Sequence, residues 1–341
     1  MTPLSPPNEA HVAKITACVA ANNQIQGSKT NTIYDSLPST ISTASGKVRD
    51  AFTTNDATSP LVLVTTDRQS AFDRHLTSIP YKGAVLNLIS AYWFDQTKDI
   101  LPNHIISTPH PNITCAKKAE PFPIEFVLRA YLTGSTETSI WKHYSSGARS
   151  YCGHPLPDGL LKNTKLANGP IMTPTTKGVK DRPISYEEIL SEGLMSKADL
   201  DICQNGAIEI FKRGQKLAAD RGFILVDTKF EMGRDPKTNE IIVIDEMLTP
   251  DSSRYWIQGS YDERMAAGKE PENIDKEFLR LWYKENCDPY DLEAVLPEAP
   301  KELVVELSRR YIYLFEAITG KPFVFDDRGD DKIIETIKTL L

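Results

Sequence analysis

Hydrophobic residues alternate with polar ones in the first half of the chain and recur every three or four positions towards its end. Three segments therefore read as strands: 45–52 (SGKVRDAF), 60–67 (PLVLVTTD) and 123–132 (PIEFVLRAYL). Five segments have helical spacing: 84–98, 135–144, 274–286, 300–319 and 332–340. Strands followed mainly by helices favour an α+β fold over a regular βαβ repeat.

Turn and capping residues divide the middle of the chain. Residues 145–183 are rich in Gly, Pro, Asn and Lys and predict a long functional loop. Two capping-box patterns predict helix starts: Ser185 with Glu188, and Ser196 with Asp199. A β-hairpin is expected at 223–247, because two strand-like runs flank the turn-rich segment GRDPKTNE.

The pattern predicts four successive regions. These are an N-terminal arm (1–40), a β-rich nucleotide-binding lobe (41–125), a central α+β catalytic lobe (126–270) and a C-terminal helical region (271–341). The first 30 residues are polar and lack strong periodicity, so we expect a loose or peripheral arm.

Composition narrows the function classes. The 341 residues carry a net charge of -7 with 40% hydrophobic residues, which is typical of globular proteins and argues against a nucleic-acid partner. No apolar run is long enough to span a membrane and no signal or transit peptide is evident, so the predicted location is the cytoplasm. The five cysteines and six histidines form no metal-ligand spacing.

Candidate chemistry concentrates in LVDTKFEMG (225–233). Alternation along a strand places Asp227, Lys229 and Glu231 on one face. Pairing residue 231 with 241 would set Asp227 opposite Asp245, and two facing aspartates repel. A divalent cation with oxygen ligands would offset that repulsion. A solvated, charged hairpin face is the alternative.

The next segment, TPDSSR (249–254), strengthens the case for a site. It places Asp251 and Arg254 beside the acidic cluster, and Arg254 could hold a phosphate or carboxylate through two hydrogen bonds. Metal-binding carboxylates beside an anion clamp are typical of phosphoryl transfer.

Other segments supply further candidates, each with a simpler alternative. Arg129 and a helix beginning near Ser135 would form a phosphate cradle, or an ordinary helix cap. Lys47 and Arg49, on one strand face after a glycine, could cover nucleotide phosphates, or form a solvated edge strand. Two more segments are open between a site and a plain turn or loop: TDRQSAFD with Arg68, Ser70 and Asp73, and TPTTKGVKD with Lys177.

Six motifs, taken together, resemble one family, the SAICAR synthetases (phosphoribosylaminoimidazole-succinocarboxamide synthases) of purine biosynthesis. They stand in the family's order across roughly residues 45–260: GKVRD (46–50), TDRQSAFD (66–73), LRAYLTGS (128–135), TPTTK (173–177), LVDTKFEMG (225–233) and DEMLTPDSSRYW (245–256). Ala130 departs from the pattern, since glycine often follows the arginine in this family.

The resemblance implies a carbon–nitrogen ligase. Such an enzyme joins the carboxyaminoimidazole ribonucleotide CAIR to L-aspartate, with ATP and Mg²⁺, and releases SAICAR, ADP and phosphate through an acyl-phosphate intermediate. It also implies an ATP-grasp-like or kinase-like nucleotide cleft between a β-rich N-terminal lobe and a larger mixed lobe with C-terminal helices. Only small-molecule partners are implied, and the oligomeric state stays open.

The resemblance also implies residue roles. Lys47, Arg49, Glu125 and Lys177 would bind ATP, with Glu125 near the adenine; Glu231 and Asp245 would bind magnesium; Asp227, Lys229 and Lys177 would be catalytic; and Arg129, Ser135, Asp227, Lys229, Asp251 and Arg254 would bind the ribonucleotide. We place the aspartate pocket near Arg68, Ser70 and Asp73.

Two other function classes remain open from the residues alone. A small-molecule kinase would phosphorylate a hydroxyl group and ignore aspartate. A nucleotide-sensing module would release no ADP.

Overall fold

A computed structural model describes residues 8–21, 32–178, 181–291, 293–325 and 329–341. The chain folds into two compact units, which are described separately below. Unit 1 comprises Met1–Tyr92, Ile105–Lys118 and Ile274–Leu341, and unit 2 comprises Trp93–His104 and Ala119–Asn273.

Helices and strands both occur throughout the described residues. The strands are β1 (Ile41–Ser45), β2 (Arg49–Thr54), β3 (Leu61–Thr65), β4 (Arg68–Ala71), β5 (Arg74–Ser78), β6 (Ile105–His110), β7 (Ile113–Ala116), β8 (Glu120–Arg129), β9 (Ser150–Tyr151), β10 (His154–Pro155), β11 (Ile171–Met172), β12 (Thr175–Thr176), β13 (Phe223–Arg234), β14 (Ile241–Ile244) and β15 (Ser253–Ile257). The α-helices are α1 (Glu9–Ala21), α2 (Lys82–Thr97), α3 (Ile140–Ser145), α4 (Tyr186–Ser191), α5 (Lys197–Ala219), α6 (Tyr261–Ala266), α7 (Glu277–Asn286), α8 (Lys301–Thr319) and α9 (Asp330–Leu340).

Unit 1 is built on an antiparallel sheet with the strand order β1-β2-β3-β7-β6. Alternate positions of β2 and β3 are buried, which places Phe52, Val62 and Val64 in one core. Ile333 and Ile337 of α9 complete that core. The last helix of the chain therefore packs on the first sheet.

The four regions predicted along the chain do not include this packing of the last helix on the first sheet. The C-terminal helices α7 to α9 belong to the same unit as the N-terminal strands and form no region apart. For example, Ser308 on α8 donates to the carbonyl of Pro80 at 2.7 Å, and Tyr283 on α7 donates to the carbonyl of Leu76 at 3.2 Å. Sequence order carries no signal for contacts of such long separation.

We expect the N-terminal arm to be loose or peripheral, and the part that the structure describes is a helix and is not loose. Residues 9–21 form α1, which packs against α8 and buries Ile15 and Cys18. With so few buried positions, the segment shows little hydrophobic periodicity, and this explains why the helix was missed. Residues 1–7 and 22–31 of the arm lie outside the described residues.

Unit 2 is built on a six-stranded antiparallel sheet. Strand β13 pairs with β8, β14 and β15, while β8 also pairs with the short strands β11 and β12. Helix α5 packs on β13 and β8 through positions spaced three or four apart, including Leu200, Ala207 and Phe211. Gly214 allows close packing there, because a Cβ would lie 2.7 Å from the Leu248 side chain.

Most predicted elements agree with the structure, including strand β3, helix α2, the capping box Ser185–Glu188 and the hairpin of β13 and β14. Two are wrong. The predicted strand 45–52 is broken between Ser45 and Arg49, so Lys47 lies in a turn. The predicted helix from Ser135 begins only at Ile140. In the described residues, no helix is long and apolar enough to cross a membrane.

Candidate active site

Strand β13 carries three charges at alternate positions near the middle of the unit 2 sheet. Asp227, Lys229 and Glu231 project from the same face, because alternate side chains of a strand share a face. We call these three residues the charged face of β13. Strand β8 runs along one side of it, and β15 and β14 run along the other, so each charge meets neighbouring strands.

Asp227 lies between two arginines on the neighbouring strands. It is the backbone partner of Arg129 on β8 and of Arg254 on β15. Arg254 Nη1 donates to Asp227 Oδ2 at 2.5 Å, and Arg129 Nη1 lies 3.6 Å from the same oxygen. Arg129 also donates through Nε to Thr173 Oγ1 (2.8 Å) and through Nη2 to the carbonyl of Thr138 (3.1 Å). Two largely buried guanidinium groups are thus held side by side with one carboxylate.

Lys229 joins two facing carboxylates. Glu125 on β8 is the backbone partner of Glu231, and their like charges would repel. Lys229 Nζ lies between them and donates to Glu231 Oε1 at 2.6 Å and to Glu125 Oε1 at 3.0 Å. The other oxygen of each carboxylate is also engaged, by Lys177 Nζ on Glu231 and by Thr175 Oγ1 on Glu125 at 3.1 Å.

These carboxylates keep Lys229 charged. Burial alone would lower its pKa, but attraction from Glu231, Asp245 and Glu125 outweighs burial and raises the pKa. A lysine in this state is a fixed cation rather than a proton acceptor. Asp245 enters the cluster because it takes a left-handed conformation (φ 68°), which ends β14 just beyond Ile244, the partner of Glu231.

A tight turn delivers Arg254 to this sheet. Thr249 anchors it, since its Oγ1 accepts from the backbone N–H of Ser252 (3.1 Å) and donates to Glu246 Oε2 (2.5 Å). The carbonyl of Ser252 accepts from the backbone N–H of Lys229 at 3.1 Å. Asp251 is buried within the same turn. The TPDSSR segment therefore serves as a turn that fixes where β15 begins.

In unit 1, Lys47 lies in the turn between β1 and β2, and its ammonium group is 2.6 Å from Asp73 Oδ1. Arg68 is fully buried and pairs with Asp50, also fully buried. Ser70 Oγ donates to the carbonyl of Arg74 at 3.1 Å within the β4–β5 hairpin.

Comparison with known proteins identifies the family. The SAICAR synthetase family model matches residues 42–296, which is most of the chain. The chain belongs to the SAICAR synthetase family.

Relatives match this chain over 70 to 98% of their own length. The phosphoribosylaminoimidazole-succinocarboxamide synthase of Legionella pneumophila (strain Paris) is 54% identical over 87% of this chain and 94% of its own. The chloroplastic enzyme of that name from Arabidopsis thaliana is 55% identical over 86% of this chain and 70% of its own. The solved SAICAR synthase of Saccharomyces cerevisiae, in complex with SAICAR, superposes with a TM-score of 0.71 at 31% identity, over 85% of this chain and 98% of its own.

Family membership confirms the α+β fold class and the function predicted from the sequence. SAICAR synthetases are ATP-dependent ligases of purine biosynthesis that join CAIR and L-aspartate. The two other function classes, a hydroxyl kinase and a non-catalytic sensor, are thereby set aside.

Three expectations about this SAICAR synthetase's site need correction. Glu231 pairs with Ile244 rather than with residue 241, so Asp227 lies between arginines and does not face Asp245. The facing like charges are instead Glu125 and Glu231. Ser135 precedes α3 by five residues, so no helix N-terminus forms a phosphate cradle there.

The structure gives Arg68 a role other than the predicted contact with aspartate. Its guanidinium group is fully buried and donates to Asp50 and to backbone carbonyls of the β1–β2 turn. Lys47 also departs from the prediction, because it does not share a strand face with Arg49.

Sequence reasoning missed two threonines of the site. Thr173 accepts from Arg129, and Thr175 donates to Glu125. Both belong to the TPTTK motif, from which only Lys177 was selected. Their alternate spacing before Lys177 was the available signal, because β11 and β12 flank β8 and deliver residues from this segment to the same sheet.

Proposed function

We propose that the charged face of β13 and its neighbours bind CAIR and activate its carboxylate, and that the ligase reaction passes through an acyl phosphate. The observation that carries this proposal is the arrangement on one sheet face. A pair of arginines lies at one end, next to Asp227, and a lysine-bridged pair of carboxylates lies at the other, next to Lys229. An anion site and a cation site, a few residues apart, suit a substrate with both a phosphate and a reacting carboxylate.

Arg129 and Arg254 would hold the ribonucleotide phosphate. Planar guanidinium groups bind phosphate through two parallel hydrogen bonds. Here Asp227 accepts a hydrogen bond from Arg254 and forms a longer ion pair with Arg129, 3.6 Å away. We therefore assign Asp227 to positioning these arginines, in addition to the contact with the base or its carboxylate that the resemblance implies. Ser135 and Asp251 are further candidates for ribonucleotide contacts.

Glu231 and Asp245 would hold magnesium. In the described residues, no three His, Cys, Asp or Glu side chains form a metal-binding group. Two carboxylates nevertheless fit magnesium, which is commonly bound by one or two carboxylates together with substrate phosphates and water. When bound, the ion offsets the repulsion between the triphosphate and the CAIR carboxylate.

The lysines of the cluster would provide fixed positive charge. Lys229, whose pKa is raised, stays protonated and can stabilise negative charge on the reacting carboxylate. Lys177 contacts Glu231 with a side chain that is about one-third exposed (34%), so it can turn towards a nucleotide phosphate. Lys47, Arg49 and Glu125 are the remaining residues proposed to bind ATP.

The chemistry proceeds in two balanced steps. A carboxylate oxygen of CAIR attacks the γ-phosphorus of ATP, and the bond to the bridging oxygen breaks to release ADP. The aspartate amine then attacks the acyl carbon. The carbon–oxygen bond to phosphate breaks, phosphate leaves with the electron pair, and the nitrogen loses its proton as the amide forms. Positioning of the reactants supplies much of the rate.

A coupled ADP-release assay tests this function. ADP should appear only when CAIR is present, and the amide product only when aspartate is also present. Glu231→Gln should remove most turnover while the circular dichroism spectrum is unchanged; near-normal activity of that variant at saturating magnesium would contradict the metal assignment. Release of ADP with a hydroxyl acceptor, independent of CAIR, would instead indicate a kinase.

We also propose a cytoplasmic location. The basis is the prediction made from the sequence alone. The Arabidopsis relative is chloroplastic, so this feature varies among relatives. Fractionation with antibody detection would test the location directly.

A further inference from the structure

The turn between β1 and β2 is held by several hydrogen bonds. The two strands last pair at Ser45 and Asp50, and Gly46 N–H donates to the Arg49 carbonyl at 2.7 Å. A Cβ at Gly46 would lie 2.9 Å from that carbonyl oxygen, so the close approach requires glycine. The turn carries Lys47, whose side chain is 67% exposed.

Three consecutive carbonyls of this turn accept hydrogen bonds from one segment, Thr66 to Arg68. Arg68 Nη2 donates to the Gly46 carbonyl at 3.2 Å, and Arg68 Nε donates to the Lys47 carbonyl at 3.3 Å. The Val48 carbonyl accepts twice from Thr66, from Oγ1 at 2.8 Å and from the backbone N–H at 2.9 Å. Thr66 and Arg68 thereby fix the backbone on both sides of Lys47.

A buried ion pair holds Arg68 in that position. Its guanidinium group donates to both oxygens of Asp50, at 3.1 and 2.9 Å, and both side chains have no exposure to solvent. Ser45 Oγ donates to the same carboxylate at 2.8 Å. A buried ion pair often contributes no more stability than well-packed apolar residues, because both ions lose their hydration. What apolar residues could not provide is the set of donors to the turn carbonyls.

We propose that Arg68 and Thr66 are positioning residues, which fix the β1–β2 turn so that Lys47 is oriented for a nucleotide phosphate. This inference rests on the proposed role of Lys47 in ATP binding. A turn that is ordered before binding loses less conformational entropy when the phosphate arrives, so affinity depends on the residues beneath it. Arg68 itself touches no substrate in this proposal.

The expected signature is a selective change in the KM for ATP. Arg68→Lys keeps a positive charge next to Asp50 but has a different donor geometry and cannot reproduce both bonds to the turn carbonyls. The loss of about one net hydrogen bond that orders the turn corresponds to a rise of about tenfold in the KM for ATP. The KM values for CAIR and aspartate should stay within about twofold. Thr66→Val, which lacks the hydroxyl donor, should also raise the KM for ATP selectively. Thr66→Ser keeps that donor and should have the wild-type KM for ATP.

Hydrogen–deuterium exchange at residues 46–49 supplies a readout that does not depend on activity. Exchange should accelerate in Arg68→Lys and Thr66→Val and stay slow in Thr66→Ser. A matched control is Arg149→Lys, because Arg149 also donates to a carboxylate, Asp158, and to two carbonyls, but is far more exposed. It should change neither the exchange at 46–49 nor the KM for ATP.

Two results would overturn the inference. The first is unchanged exchange at 46–49 in Arg68→Lys and Thr66→Val. The second is faster exchange in those variants with an unchanged KM for ATP, although the separate variant Lys47→Ala does raise that KM. If Lys47→Ala leaves the KM for ATP unchanged as well, the assignment of Lys47 to ATP fails and the inference falls with it. Equal rises in all three KM values would indicate a general structural role and would also reject it.

Discussion

Replacing Lys229 with methionine should destabilise unit 2. The change removes the cation between Glu125 and Glu231, which are direct partners on adjacent strands. Breaking a buried ion pair by removing one partner costs about 3–5 kcal/mol. Here the side chains of Lys229, Glu125 and Glu231 are 29%, 17% and 13% exposed, so water screens part of the repulsion. We therefore expect a loss of about 2–3 kcal/mol.

The charge of Lys229 sets how this loss depends on pH. Its raised pKa keeps the ammonium group charged at and above neutral pH, so the bridge contributes in full below the ordinary lysine pKa and is lost only as pH rises through the raised one. The difference in the free energy of unfolding between wild type and Lys229→Met should therefore be equal at pH 7 and pH 9.

Urea unfolding at pH 7 and pH 9 would measure this effect, with thermal unfolding as a second method. A loss of 2–3 kcal/mol corresponds to a drop in Tm of about 4–12 °C for a unit of this size. Lys212→Met is a suitable control, because Lys212 pairs with Glu209 on the exposed face of α5 and should change stability by less than about 0.5 kcal/mol. A Lys229→Met protein with the control's stability, or a loss that shrinks between pH 7 and pH 9, would refute the reasoning.

Two further predictions concern other charged groups. Arg254→Ala should raise the KM for CAIR about 10- to 100-fold, because the proposed charge-assisted bond from Arg254 to the ribonucleotide phosphate would be lost. Asp227→Asn should raise that KM less, since Asp227 would act on the phosphate by orienting Arg254. Steady-state kinetics would measure both effects, and an effect confined to the KM for ATP would reassign Arg254. Burial would raise the pKa of Glu306, but Arg309 and Arg310 outweigh it and lower that pKa, so the ion pairs stabilise the protein at neutral pH. In urea unfolding at pH 7, wild type should be about 1 kcal/mol more stable than Glu306→Gln. This difference should disappear as pH falls below the usual glutamate range, and a difference that stays constant would contradict the assignment.

The residues of the charged face could be predicted from the sequence, but their partners could not. Alternation correctly placed Asp227, Lys229 and Glu231 on one face. The predicted partner of Glu231 was three residues off, because the strand was assumed to end near the turn-like segment GRD. In fact β13 continues to Arg234, and Gly233 stays in the strand, where a Cβ would lie 2.7 Å from the carbonyl oxygen of Glu120.

Irregularities in pairing add to this difficulty. The β13–β15 register shifts between Leu225 and Asp227, and the β13–β8 register shifts between Glu231 and Gly233. A shift in register changes which residues are opposite one another. No simple alternation rule could therefore have placed Asp227 between Arg129 and Arg254. The facing carboxylates are Glu125 and Glu231 rather than Asp227 and Asp245, and the cation between them is the ammonium group of Lys229.

The corrected partners change how ligand binding should be understood. Each charge on the charged face of β13 already has an oppositely charged partner within unit 2, so a ligand that binds there as proposed would exchange ion pairs rather than satisfy isolated charges. Such an exchange has a low electrostatic cost when the ligand carries a charge of the same sign as the side chain that it replaces. A magnesium ion on Glu231 would replace the ammonium group of Lys177, and a nucleotide phosphate would then accept that lysine. Binding of the ion and of the nucleotide should therefore favour each other, because each supplies the partner that the other displaces.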